Sequence, residues 1–178
     1  LLAARLLSTY VDEEVVTSGV CNFMESIEFG HKNGLIANQV VEFVRKHREK
    51  LEAAINPSRT MLFEYFGLRT IYDRYLLKDP KSRAVFETPQ YFFMRVACGL
   101  AQSAEEAVEL YEIVSRLDYM PSTPTLFNSG TLRPQMSSCY LLDSPDDDLG
   151  SIYQKYTDIA LLSKFAGGIG VAYHRVRS

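Results

Sequence analysis

The sequence predicts a mainly α-helical domain that passes into the first β-α-β unit of an incomplete α/β domain. Three observations carry this reading. Apolar residues recur at helical spacing through the first two thirds of the chain. The character changes at Met120, where prolines, hydroxyl residues and a glycine turn replace the helical stripes. Beyond that point two short apolar runs flank one helical stretch, an order that makes parallel strands joined by a right-handed crossover. The chain therefore divides into a helical domain over 1–119 and the start of an α/β domain over 120–178. Two parallel strands cannot finish a sheet, so the second part is expected to be incomplete.

The first helix is expected around Leu2, Leu6, Tyr10 and Val11. The polar, glycine-bearing stretch from Thr17 to Gly34 reads as a connector. A second helix is expected over 37–55 with Val40, Val41, Val44, Leu51 and Ile55 inward, and Asn56-Pro57 stops it. Residues 61–77 read as an aromatic-rich helical stretch broken at Gly67. The runs Tyr75–Lys78 and Val85–Glu87 flank Asp79-Pro80-Lys81-Ser82, a hairpin or long turn. Thr88 supplies an N-cap and Pro89 a first helical position for a helix ending at Leu100. Ser103 and Glu106 make a capping box for the next, which carries Ala107, Leu110, Tyr111 and Val114. Pro121 to Thr125 is expected to be non-helical and Ser129-Gly130 a turn. A strand over 137–142, a helix over 150–165 and a strand over 169–176 follow, with Gly167 and Gly168 ending the helix.

Composition narrows the class. The 178 residues carry 19 Lys and Arg against 22 Asp and Glu, with 47% hydrophobic and 23% charged residues. These are values of a folded globular chain and exclude a disordered one. The longest stretch without a charged side chain, Tyr119 to Leu132, contains Pro121 and Pro124 and falls short of the ~20 apolar residues of a spanning helix. No membrane partner is expected. The slight acidic balance gives no electrostatic attraction for nucleic acid. Cys21, Cys98 and Cys139 form no C-x-x-C pair, against a zinc ribbon or a disulfide-stapled secreted domain. The three histidines are scattered, and no metal site is expected. The chain opens on Leu1 and has no signal-peptide pattern. The expectation is a cytoplasmic piece of a longer protein.

Several groups could carry chemistry. Cys139 follows Ser137 and Ser138 at the edge of a strand. Hydroxyls beside a thiol suit a sugar or phosphate held next to a redox group, because a thiol cycles between dithiol and disulfide. The alternative is plain packing, the usual role of a free cysteine. Asp146-Asp147-Asp148 precede a helix, where carboxylates cap orphan N–H groups. Three exceed what capping needs, and a spare one could accept ribose hydroxyls. The glycines at 167, 168 and 170 follow a helix, so they fit neither G-x-G-x-x-G nor a P-loop. They serve as a helix stop or as bare backbone for a ligand. Lys164, Arg175 and Arg177 bracket them, with the two arginines on one strand face. They are either a solvated edge or a phosphate-binding group.

These segments together resemble one family. Met120-Pro121-Ser122-Thr123-Pro124-Thr125-Leu126-Phe127-Asn128-Ser129-Gly130-Thr131 resembles the S-P-T-L-F-N-x-G-T signature of class I ribonucleotide reductase large subunits. Pro134-Gln135-Met136-Ser137-Ser138-Cys139-Tyr140-Leu141-Leu142 resembles their P-Q-x-S-S-C-x-L-L strand. Asp147 to Tyr153 and Ser163 to Arg177 continue in register, and Leu76–Lys78 and Thr88 to Val96 resemble the family's helical domain less specifically.

The resemblance implies that the α/β part opens a ten-stranded α/β barrel. It implies that Cys139 is one of two redox-active thiols, and that Thr123, Ser138 and the backbone near Gly168 contact a ribonucleoside diphosphate. Asp147, Asp148 and Leu149 would hold the nucleoside of a dNTP effector, and Lys164 and Arg177 its phosphates, at a homodimer interface. ATP is a further effector of the family. The chain would bind no cofactor itself; its parent would need a radical-generating small (beta) subunit and an external dithiol reductant. Thr123 stands where Ser is common, and Asp148 and Leu149 where Ser and Ile are. The radical cysteine, the second redox cysteine and a phosphate loop lie downstream in the family, and an ATP cone upstream. The chain alone is therefore expected to reduce nothing. The alternatives are a fragment of an adenosylcobalamin-dependent class II reductase and a non-catalytic helical interaction module.

Overall fold

The computed structural model describes residues 2–164 and 167–177. It forms two compact units, Leu1–Pro134 and Gln135–Ser178. The mainly helical class with two parallel strands at the end agrees with the sequence.

In the first unit α1 (Leu2–Thr17) buries Ala4, Leu7, Ser8, Val11 and Val15. Of the expected stripe only Val11 faces inward, and Leu2, Leu6 and Tyr10 face outward. The chosen face carries small and β-branched residues that let α5 (Tyr65–Thr70) come close. The expected connector is largely a helix, α2 (Phe23–Lys32). Asn22 Oδ1 accepts from Glu25 N at 3.0 Å and the Glu25 carboxylate accepts from Cys21 N at 2.7 Å. That is a reciprocal cap with Asn in the place of Ser or Thr. Phe23, Met24 and Ile27 bury its inner face.

The helix expected over 37–55 is two, α3 (Asn38–Lys46) and α4 (Arg48–Ala54), parted at His47. The inward residues Val40, Val41, Val44 and Leu51 are as read. After Asn56 a 3-10 turn runs Pro57–Leu62. Gly67 does not break the aromatic stretch; it lies inside α5, and the interruption falls at Phe63-Glu64. A π-helical turn, Ile71–Tyr75, continues α5 and closes with Leu76 N donating to Ile71 O at 3.0 Å. Lys78 and Val85 then form an antiparallel bridge around a turn held by the Asp79 carboxylate.

The central helix α6 (Pro89–Leu100) starts on Thr88, whose Oγ1 accepts from Tyr91 N at 3.2 Å. Phe92, Phe93, Met94, Val96 and Ala97 are buried within it. It packs on α7 (Ala104–Ser115), capped by Ser103 and Glu106 as read. The segment after Met120 is helical against expectation: α8 (Thr123–Asn128) begins there. Pro124 sits in its first turn, where no backbone N–H is required.

The Ser129-Gly130 turn binds α8 to α6. Gly130 has φ +79°, Ser129 Oγ donates to Val96 O at 2.7 Å, and Arg95 donates to Ser129 O. A Cβ on Gly99 would overlap Gly130 N and stand 2.8 Å from Gly130 Cα, so α6 meets this turn backbone to backbone.

The second unit is the expected β-α-β. β1 (Cys139–Leu142) pairs in parallel with β2 (Gly168–Val171), Cys139 opposite Gly168 and Leu142 opposite Val171. The crossover is α9 (Leu149–Lys164), in which no residue is buried. Phe165 and Ala166, which the sequence reading placed at the end of this helix and the start of the glycine segment, lie outside the described residues. β2 is shorter than expected. β1 offers four residues to pair, and Ala172 N donating to Leu142 O is the last backbone-to-backbone bond between the segments.

Candidate functional site

Cys139 opens β1, and the strand alternates in exposure. Cys139 and Leu141 take the open face, while Tyr140 and Leu142 are half-buried. The Cys139 thiol is free and exposed. Ser138 precedes the paired strand, so strict alternation does not hold there. Its Oγ donates to Cys139 Sγ at 3.6 Å. A hydroxyl and a thiol thus stand side by side on one edge.

Gly168 faces Cys139 across the ladder and its N–H donates to Ser138 O at 2.6 Å. A Cβ there would lie 3.5 Å from Cys139 Sγ. A larger side chain would extend over the sulfur, whereas glycine leaves its flank open. The structure therefore brings Ser138, Cys139 and Gly168 together around one reactive atom.

Thr123 belongs to the first unit. It begins α8, exposed, and its Oγ1 lies 3.1 Å from the Tyr75 hydroxyl. Its helix is set by the Ser129-Gly130 turn and through that turn by Arg95.

The acidic turn before α9 divides its work. Asp148 Oδ1 accepts from Ser151 N at 3.0 Å, the helix cap. Asp146 N donates to Ser151 Oγ at 2.9 Å. Asp147 pairs with Arg177, Oδ2 to Nε 3.3 Å, so two residues read as parts of one anion and ribose site are in contact. Asp143 pairs with Arg175 at 2.6 Å, and Arg175 N donates to Ser144 Oγ at 3.0 Å. The backbone hydrogen bond from Ser144 N, helped by Arg175, holds the Asp143 carboxyl below its ordinary value. Arg175 and Arg177 follow β2 rather than lie on it, so strand alternation does not set their directions.

Leu149 opens α9, 71% exposed, and Lys164 ends it. The two are about 22 Å apart at 1.5 Å per helical residue. One copy does not bring them together. Tyr153, Tyr156 and Leu161 along the same helix are also exposed.

Two features escaped the sequence reading. Tyr75 reads from sequence as part of an aromatic-rich helical stretch and a following turn; it sits at the end of the π turn, beside Thr123. Glu87 and Arg95 form a buried ion pair behind the Ser129-Gly130 turn. Their eight-residue separation across a helix start gives no pairing signal.

Among the described residues no group of three or more His, Cys, Asp and Glu could hold a metal ion. Nor is any helix long and apolar enough to cross a membrane.

Comparison with known proteins gives a consistent picture. Residues 61–134 match the family described as ribonucleotide reductase, all-alpha domain, and residues 137–178 match ribonucleotide reductase, barrel domain. The chain is 39% identical to the ribonucleoside-diphosphate reductase large chain of Cryptosporidium parvum over 99% of its own length and 22% of that protein. It is 46% identical to the ribonucleoside-diphosphate reductase subunit alpha of Helicobacter pylori over 73% of its length and 17% of that protein. The large subunit of Trypanosoma brucei brucei is 37% identical over the whole chain and 22% of that protein. The chain spans about a fifth of the length of the curated relatives it matches.

Proposed function

The chain belongs to the ribonucleotide reductase large-subunit family, and from that premise we propose that it supplies one redox thiol and part of the substrate site of a class I ribonucleoside-diphosphate reductase. The observation that supports this is the edge of β1. Cys139 is an exposed thiol with the Ser138 hydroxyl beside it and the bare Gly168 backbone opposite. That arrangement admits a ribose to the sulfur.

The chemistry balances as a two-thiol reduction. The ribose C2′–OH bond breaks, the hydroxyl leaves as water, and hydrogen takes its place. Two thiols give up two electrons and two protons and end as a disulfide, which an external dithiol returns to thiols by exchange. A radical delivered from a small subunit opens the ribose to this step. Cys139 donates as one thiol, and Ser138 beside it hydrogen-bonds the diphosphate substrate; Thr123, in the first unit, is proposed by itself as a substrate contact. Cys21, Cys98 and Cys139 are all free and none is placed as the second redox thiol, so the 178 residues by themselves are proposed to reduce nothing. Turnover by the isolated chain would overturn that part.

The acidic turn and α9 are proposed to serve dNTP specificity control. Asp147 and Leu149 meet the nucleoside and Arg177 the phosphates, with the Arg177–Asp147 pair opening to admit them. Asp148 acts through its backbone, because its side chain caps α9. Antiparallel pairing of α9 with a second copy sets Lys164 of the partner subunit beside Leu149. The exposure of Leu149, Tyr153, Tyr156 and Leu161 supports such a homodimer. We assign the protein to the cytoplasm and to deoxyribonucleotide supply for DNA replication.

The test is made in the complete large subunit with its small subunit. Cys139→Ser should abolish dithiol-dependent reduction of ribonucleoside diphosphates while leaving dNTP binding intact. Retained turnover would refute the role of Cys139.

A further inference from the structure

Resting on the reading of Thr123 as a substrate contact, we propose that Tyr75 is the positioning residue that fixes the Thr123 hydroxyl as a donor. Tyr75 OH and Thr123 Oγ1 are 3.1 Å apart. Either oxygen can donate in that pair, and the substrate decides between them. A diphosphate or ribose oxygen that accepts from Thr123 takes its only O–H. Thr123 Oγ1 then receives its second hydrogen bond from Tyr75, and the two bonds polarise in one direction.

The ring is held for this purpose by contacts on two elements. It stacks on Phe127 of α8 with centroids 4.7 Å apart and planes 22° apart. It meets Phe92 of α6 at 6.1 Å. Thr123 and Phe127 lie one turn apart on α8, so the same helix presents both the hydroxyl partner and the stacking partner. The backbone makes a matching adjustment. The π turn Ile71–Tyr75 puts five residues in its closing bond, Leu76 N to Ile71 O at 3.0 Å, and Tyr75 is its last residue. Single π turns are frequent at functional sites, and this one closes the helical run directly at Tyr75. The geometry lies wholly within the first unit: Phe92 is fully buried and Leu76, the next residue, nearly so, while Phe127 is partly open to solvent.

The experiment is a double-mutant cycle in the assembled reductase, with KM and kcat read for a ribonucleoside diphosphate. Tyr75→Phe keeps the stacked ring and removes only the hydroxyl. It should raise KM about fivefold, the worth of one hydrogen bond, with a much smaller change in kcat. Thr123→Val should raise KM by at least as much. Tyr75→Phe added to Thr123→Val should then change KM no further, because the hydroxyl it loses has nothing left to orient. Thr123→Ser should keep the sensitivity to Tyr75→Phe. A merely structural tyrosine would instead give additive effects. Unchanged KM in Tyr75→Phe, with KM raised in Thr123→Val, overturns the inference and leaves Thr123 as a substrate contact. Unchanged KM in Thr123→Val overturns both.

Discussion

Removing the carboxylate of Glu87 should destabilise the protein more than any surface change. Arg95 and Glu87 side chains are 0% and 1% exposed. Nε donates to Oε2 at 2.9 Å and a terminal nitrogen donates to Oε1 at 3.0 Å, a two-pronged pair. The remaining capacity is used locally. Arg95 donates to Ser129 O at 2.6 Å, Leu77 N donates to Glu87 Oε1 at 2.7 Å, and the guanidinium lies over Phe92. Glu87→Gln keeps the shape but leaves a buried guanidinium without its counter-charge. Breaking one side of such a pair costs about 3–5 kcal/mol. For a chain of this size each kcal/mol lowers the thermal midpoint by roughly 2–4 °C, so the expected fall is roughly 6–20 °C. Urea unfolding followed by circular dichroism measures the loss as a shifted midpoint at unchanged slope. The double replacement Glu87→Leu with Arg95→Met removes both charges and should recover part of the stability, the rest being lost with the partners of Leu77 N and Ser129 O. A Glu87→Gln loss below about 1 kcal/mol, the level of an exposed pair, would refute the reasoning.

Further outcomes follow from single contacts. Gly99→Ala places a methyl against the Gly130 backbone and should cost about 3 kcal/mol, the upper end for overpacking, read as a lower melting point. Asp148→Ala removes the α9 cap and should cost about 1 kcal/mol, while Asp148→Ser should be near neutral in the same urea titration. The Arg59 hydrogen bond holds Glu112 below its ordinary value of 4.5. A depressed carboxylate stabilises fully above its unfolded pKa and less as pH falls through its folded one. The destabilisation by Arg59→Met should therefore be largest near neutrality and shrink below about pH 4, seen in melts across pH. Burial pushes the Cys98 thiol up to about 12, so native thiol titration of the 178-residue chain at pH 8 should find Cys21 and Cys139 reacting and Cys98 silent until the chain unfolds.

What the sequence made legible was what is decided locally. Thr88-Pro89 and Ser103-x-x-Glu106 fix helix starts within four residues, and both caps stand as read. The parallel pairing of β1 and β2 followed from element order alone. The errors share a cause: the deciding partner is distant. Nothing within α1 ranks the Leu2-Leu6-Tyr10 stripe below the Ala4-Val11-Val15 stripe, and only packing against α5 does. Asn22-x-x-Glu25 was a legible cap that the glycines around it obscured. Pro121 and Pro124 argued against a helix by count, though a proline in the first turn favours one. At the site, Ser138, Cys139 and Gly168 were legible as motif residues, but only strand register sets the glycine opposite the thiol. Arg177 was read on one strand face with Arg175, and its contact with Asp147 needed the turn after β2.

The buried pair and the hydroxyl relay belong to one design. A six-residue helix such as α8 has little stability of its own, yet the proposed contact of Thr123 with a substrate oxygen needs that hydroxyl placed within about 0.5 Å. Its C-terminal end is fixed by Ser129, which is bonded to Arg95 and Val96, and by the close passage of Gly99 past Gly130. Its N-terminal end is fixed by Tyr75, stacked one turn along on Phe127. Leu77 and Glu87 join the two restraints, because Leu77 N binds the carboxylate that holds Arg95 and lies two residues after Tyr75. The ion pair thus orders both supports of α8 from one buried point. A burial this costly can be replaced by an uncharged pair, and the substitute makes the distinction measurable. The Leu/Met double replacement at 87 and 95 should melt above Glu87→Gln but below the parent, and raise KM for the diphosphate, because apolar packing leaves Leu77 N and Ser129 O without partners. A double variant with parental KM would show that the pair serves stability alone.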